Sequence, residues 1–262
     1  MRLLVSIIFL FFTTSSFAAM FNGKFVQGSF IVGKTEPGDI VFVDKKKVKV
    51  SVEGFFAFGL GRDRKNDVVI TVNNERFVKK VLKRKYNIQR IDGLAKKKVN
   101  PPEEVYERIK KENKLIGAAR SIDSKLTFFK NKFIIPVDNA IITGVYGSQR
   151  ILNGEPKWPH YGLDFAADEG AKIKAMLDGT VTLAENDLFY TGGTLIFDHG
   201  HGISTLYMHM EKIFVKIGQK IEQGDIIGTV GSTGRATGAH LDVRLNWFDV
   251  RLDPATALDI KK

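Results

Sequence analysis

Apolar and polar positions in residues 20–95 alternate in short runs broken by turn residues. Lys24-Phe25-Val26-Gln27-Gly28-Ser29-Phe30-Ile31-Val32 is followed by the turn signal Glu36-Pro37-Gly38-Asp39, then by Ile40 to Val43, Val48 to Val52 and Val68 to Val72. Each run has the period-two character of a half-buried strand, at the regular spacing of a small sandwich. Gly54, Gly59 and Gly61 punctuate the aromatic stretch Phe55-Phe56-Ala57-Phe58. The expectation is an N-terminal immunoglobulin-like β domain over residues 20–95. The pattern then changes. Lys96-Lys97-Lys98-Val99-Asn100-Pro101-Pro102 is charged and then proline-broken. From Glu103 to about Ser124, Val105, Ile109 and Leu115-Ile116 recur among polar residues at helical spacing. Glu103 and Glu104 stand in the first turn, where the helix dipole favours acids. This predicts a connecting helix within a linker over 96–130. Beyond it, glycine-rich turns separate β-runs such as Gly192 to Phe197, Ile203 to Met210 and Asp225 to Val230. The apolar run Lys132-Phe133-Ile134-Ile135-Pro136 is expected to be the opening strand of this second unit, over 131–262. The fold class is therefore mainly β, with two β domains joined by a helix.

Residues 1–18 stand apart. Arg2 gives a positive start, Leu3 to Phe12 is apolar apart from Ser6, and Ser16 and Ala18 are small. That is the layout of a cleaved secretory signal, cut after Ala18. The apolar run is about half the ~20 residues needed to span a bilayer core. The expectation is an exported, periplasmic protein.

Charge and cysteine content narrow the chemistry. There is no cysteine, so a metal site can use only imidazole and carboxylate, and no thiol nucleophile exists. The formal charge is +11, concentrated at Lys45-Lys46-Lys47, Lys79 to Lys85 and Lys96-Lys97-Lys98. Nucleic acid is a poor partner for an exported chain. Anionic envelope surfaces, or the carboxylates of wall peptides, suit this charge better. Simple solvation of edge strands accounts for the lysines equally well.

All five histidines lie between His160 and His240, and the 20–95 region has none. His160-Tyr161-Gly162-Leu163-Asp164 sets an imidazole and a carboxylate four residues apart, an even spacing that shares one face of a strand. His240-Leu241-Asp242 repeats the device two residues apart, and Tyr207-Met208-His209 adds a third imidazole. Burying these polar groups among Gly, Leu, Phe, Met and Val would be costly unless they were paired or coordinated. Each pair taken alone is explained by an ordinary Asp–His hydrogen bond. Their combination within one β unit points to a metal. His199 and His201, flanking Gly200 in an expected turn, are assigned structural roles.

With these motifs in place, residues from about Gly144 to Pro254 resemble the lysostaphin-type, LytM-like zinc endopeptidases that cut peptidoglycan. That family carries an His-x-x-x-Asp segment, a Tyr-x-His segment and a terminal His-x-His segment. Here His160 to Asp164 matches the first, Tyr207 to His209 the second, and Gly238-Ala239-His240-Leu241 the start of the third. The resemblance implies a C-terminal LytM-like metallopeptidase domain with peptidoglycan as its partner and Zn²⁺ as its cofactor. His160 and Asp164 become metal ligands, and His209 and His240 the catalytic pair. The chain departs from the pattern at Asp242, which stands where the family has its second histidine and would be the third ligand. The reading carried forward is a zinc metallo-endopeptidase. A catalytically silent relative that binds peptidoglycan or activates a wall amidase is the alternative.

Overall fold

The computed structural model describes residues 19–93 and 99–258; the expected signal segment 1–18, the linker residues 94–98 and the C-terminal residues 259–262 lie outside the described residues. Seven strands come first: β1 (Met20–Asn22), β2 (Phe30–Lys34), β3 (Val41–Val43), β4 (Lys46–Val48), β5 (Phe55–Gly59), β6 (Val68–Val72) and β7 (Glu75–Lys79). They form two antiparallel sheets, β1-β2-β5 and β4-β3-β6-β7, the seven-strand inventory of an immunoglobulin-like sandwich. Alternation fills the space between them, burying Ile31, Val41, Val43, Phe56, Phe58, Val68 and Ile70. Phe21 meets Phe56 and Phe77 edge-on at 6.2 and 5.6 Å.

Two expected strands differ in extent. The run from Lys24 to Val32 is not continuous: Gly23 (φ +125°) and Gly28 (φ +88°) bend the chain, and pairing resumes at Phe30. The run from Val48 to Val52 stops at Val48. The Ser51 hydroxyl accepts from the backbone N–H of Glu53 and Phe55 (3.2 and 2.9 Å), a local bond that turns the chain out of the sheet.

After β8 (Ile88–Ile91) comes α1 (Tyr106–Arg120), entered through a 3₁₀ turn at Glu103–Val105. The C-terminal strands are β9 (Ile141–Gly144), β10 (Gln149–Leu152), β11 (Glu155–Pro156), β12 (Leu163–Ala166), β13 (Lys172–Lys174), β14 (Gly179–Leu188) and β15 (Gly192–Gly200). They continue with β16 (Ile203–Ile213), β17 (Lys220–Ile221), β18 (Ile226–Val230), β19 (His240–Trp247) and β20 (Val250–Leu252). Ten of them make one sheet with the path β17-β14-β15-β16-β19-β12-β9; β18 joins β16 to β13, and β20 pairs with β19. Helix α1 packs on this sheet, with Ile116 and Ala119 against Leu183, Leu188, Ile196 and Leu206. The Glu112 carboxylate accepts from the Phe189 N–H at 2.8 Å.

The segment Lys132 to Pro136 is not a strand. It is tied by Ile134 N–H to the Met176 carbonyl (3.0 Å), Lys174 N–H to the Pro136 carbonyl (2.8 Å) and Gln223 Nε2 to the Lys132 carbonyl (2.7 Å). Its apolar character serves packing instead: Phe133 is buried between Phe30 of the sandwich (6.0 Å) and His199 (5.9 Å). The two units thus share one core. Arg84 reaches across to the buried Asp253 at 2.8 Å, and Gly59 lies so close to Leu252 that a Cβ there would collide with it. Strand β8 pairs in parallel with β10, so residues 88–91, placed by their sequence beside the sandwich strands, join β10 and β11 in a small sheet of their own.

Candidate metal centre

Strands β12 and β19 are antiparallel neighbours whose register sets Asp164 directly opposite Asp242. Like charges in that position repel, and both residues are buried. The backbone has made room for them. Gly144 on β9 pairs with Asp164, and a Cβ there would collide with Asp164 Oδ2. A Cβ at Gly162 would likewise collide with Asp242 Oδ1. His160 comes from outside the strand, so the even-spacing expectation does not describe its placement. It is held ahead of β12 by its own N–H to the Ser148 carbonyl (2.8 Å) and by Gly147 N–H to its carbonyl (2.7 Å).

The three side chains converge, with one donor atom from each within 4.8 Å of the others. His160 Nε2 lies 3.0 Å from Asp164 Oδ1 and 3.4 Å from Asp242 Oδ2. His160 Nδ1 is 3.3 Å from the Val145 carbonyl, which holds the proton there and turns Nε2 toward the carboxylates. Burial alone would lower this imidazole's pKa; Asp242 and Asp164 outweigh it and raise it to about 9. Burial opposes the Asp242 charge, but Arg244 (Nη2 to Oδ2, 3.1 Å) and His160 overcome it and hold the carboxyl below the usual range.

The residues present fit a divalent metal. Asp242 Oδ1 is buried without a hydrogen-bond partner, and buried Asp164 Oδ1 has only the 3.0 Å ion-pair contact with His160 Nε2, without good hydrogen-bond geometry; a cation would relieve both. Imidazole with two carboxylates is a donor set that zinc accepts.

His209 and His240 stand beside this centre with ring centroids 4.8 Å apart. His209 sits in β16 at φ +63°, an uncommon conformation for a non-glycine residue, beside an irregularity in the pairing of that strand. Its Nδ1 lies 2.8 Å from the Thr233 carbonyl, and His240 Nδ1 lies 2.8 Å from the Gly238 carbonyl. Each ring therefore donates from Nδ1, which leaves its Nε2 for the cleft. Burial is the main cause of a lowered His209 pKa, so this ring is neutral near pH 7. His199 and His201 are engaged elsewhere. His199 binds the Asp178 carbonyl (2.7 Å) and Thr205 Oγ1 (2.8 Å). His201 (φ +52°) and Gly202 (φ +76°) form the two-residue turn between β15 and β16.

A cavity of about 970 Å³ opens over the centre. Its lining includes Arg150, Arg235, Arg244, Arg251 and Lys157, none of which the sequence motifs singled out. Period-two alternation past His240 and Asp242 could have found Arg244, which continues the same face of β19. No comparable signal marks Arg150.

Residues 158–254 match the model of peptidase family M23. The peptidoglycan DD-endopeptidase ShyA of Vibrio cholerae is 42% identical over 87 residues, 33% of this chain and 20% of that protein. The DD-carboxypeptidase/endopeptidase Mpg of Neisseria meningitidis is 38% identical over 89 residues, again 33% of this chain and 20% of that protein. The match thus spans about a fifth of the length of these curated relatives. Likeness to a crystal structure of a peptidase M23 protein from Pseudomonas aeruginosa is broader: 30% identity, a TM-score of 0.68, 90% of this chain and 95% of that one. A match of that extent, with the family model on the stretch that carries the converging side chains, places this chain in peptidase family M23.

Proposed function

We propose that the chain is an exported, periplasmic zinc metallo-endopeptidase that hydrolyses peptide cross-links or stems of peptidoglycan. The observation that carries this reading is the convergence of His160, Asp164 and Asp242, with two carboxylate oxygens left without a hydrogen bond, beside the His209–His240 pair. A relative named as a peptidoglycan DD-endopeptidase supports the substrate class. Zinc held by these three residues would supply Lewis acidity and a water acidic enough to attack near neutral pH. His209, kept neutral by burial, is suited to take a proton from the attacking water. The half-buried His240 can donate to the carbonyl oxygen as it becomes negative.

Asp242 gives this centre two carboxylates, so the metal and its ligands are formally neutral. A more neutral zinc is a weaker Lewis acid. Arg244, on Asp242 Oδ2, withdraws charge from that donor and offsets part of the effect. Asp242→His is therefore expected to shift zinc affinity and lower the pH optimum; identical values in both proteins would refute the role given to Asp242.

The test of the whole reading is zinc content and muropeptide release from isolated sacculi, measured on residues 19–262. Asp242→Ala and His240→Ala serve as comparisons. One bound zinc, soluble fragments and loss of digestion in both variants support it. A chain that binds no zinc and releases nothing, yet pellets with sacculi, is a silent wall-binding protein.

A further inference from the structure

Four guanidiniums and one ammonium line the cavity over the centre, against three carboxylates: Asp164, Asp242 and Asp249. Two of those carboxylates belong to the metal set, so a bound cation would leave the cavity strongly positive. The arginines are not equally occupied. Arg251 donates to Asn246 Oδ1 at 3.2 Å, Arg235 lies over the Tyr190 ring at 4.3 Å, and Arg244 holds Asp242. Arg150 differs. Its Nε, like that of Arg244, is buried without a hydrogen-bond partner, but among the described residues no ion pair reaches the Arg150 guanidinium, whereas Arg244 has Asp242. It feels Asp164 and Asp242 only across space.

A mostly buried guanidinium with an unused fork is costly, and the planar group that best completes it is a carboxylate bound through two parallel hydrogen bonds. Arg150 is also well fixed. It sits at the centre of β10, between β11 and the incoming β8, in register with Gln89. A side chain meant only to neutralise the metal carboxylates would touch one of them.

We propose that Arg150, with Arg244 beside it, is the receptor for a free carboxylate of the substrate, so that the cleft selects peptides carrying a carboxylate close to the scissile bond. This rests on the peptidase reading and deepens it by naming a substrate feature. Two sources share that chemistry: the α-carboxylate that ends a stem peptide, and the carboxylate on the side-chain centre of a diamino acid within it.

The test uses the full chain and three synthetic cross-linked stem peptides: one with all carboxylates free, one with the terminal α-carboxylate amidated, and one with the diamino-acid carboxylate amidated. Steady-state cleavage is followed, and binding to zinc-free protein is measured by calorimetry. For wild type, one of the two amidations is expected to raise KM and Kd about tenfold or more, and which one identifies the source. Arg150→Gln is expected to give the same rise on the free peptide and no further rise on that amidated one, with zinc content retained. Arg150→Lys should recover part of the loss. Equal weakening on all three peptides, no weakening at all, or loss of zinc would overturn the assignment. If wild type cleaves nothing but binds with this carboxylate dependence, the peptidase reading fails and the receptor stands. If it cleaves every peptide alike and ignores Arg150→Gln, the receptor fails and the peptidase stands.

Discussion

His160 and His199 are both almost fully buried, at 1% and 0% exposure, and both lie against the same large sheet, yet they face opposite electrostatic surroundings. His199 has a neutral partner on each nitrogen, the Asp178 carbonyl and Thr205 Oγ1, and burial pushes its pKa down to about 4. His160 meets two carboxylates, which overcome the same burial and raise its pKa to about 9. Around His199 every polar atom of the ring is satisfied. Around His160 two carboxylate oxygens lack a hydrogen bond. Burial of a histidine therefore says little by itself. The leftover acceptors distinguish a ligand cluster from a structural one, because an unsatisfied buried carboxylate oxygen is tolerated only where something else will bind it.

The strongest challenge to this contrast is removal of one donor. His160→Ala or Asp164→Ala is expected to weaken zinc binding on the order of a thousandfold and to end muropeptide release. Metal content equal to wild type in either variant would collapse the distinction. Next in size is the pH response of His199. The unfolded chain binds a proton near pH 6.5 that the folded chain refuses until about pH 4. Its contribution to stability is full above pH 6.5 and falls as the pH drops toward 4, by up to roughly 3 kcal/mol. His199→Gln should flatten that part of the stability profile, read by chemical denaturation at several pH values, and leave zinc content intact. Gly162→Ala comes third. Its Cβ forces Asp242 to move, and zinc affinity should fall about 10- to 100-fold with the fold intact by circular dichroism. Smallest is Thr205→Val, which removes one partner of His199 for about 1 kcal/mol and no change in metal content.

Much of this was legible in the residues, for a physical reason. The sandwich and the long strands follow from period-two alternation, which depends only on neighbours in the chain. The site positions are legible less evenly: His240 and Asp242 share one face of a strand by their spacing, His160 precedes β12 and is placed by contacts with Gly147 and Ser148, and the set of five follows from the family resemblance. Lys132 to Pro136 has the composition of a strand, but pairing needs a partner edge, and its side chains are used to plug the junction instead. The vacant Cβ positions at Gly144 and Gly162 and the unused fork of Arg150 arise from cross-strand register. Register is a relation between distant segments that no single stretch encodes.

The parallel pairing of Ile88–Ile91 with Gln149–Leu152 has a consequence in time rather than in space. During synthesis from the N-terminus, β8 is made long before β10, and it waits as an open edge while the helix and β9 follow. Closing so non-local a contact is slow, and an exposed edge invites foreign strands. The lysine- and arginine-rich stretch just ahead of it, Lys79 to Lys85, is the kind of charged flank that keeps such an edge solitary until its own partner emerges.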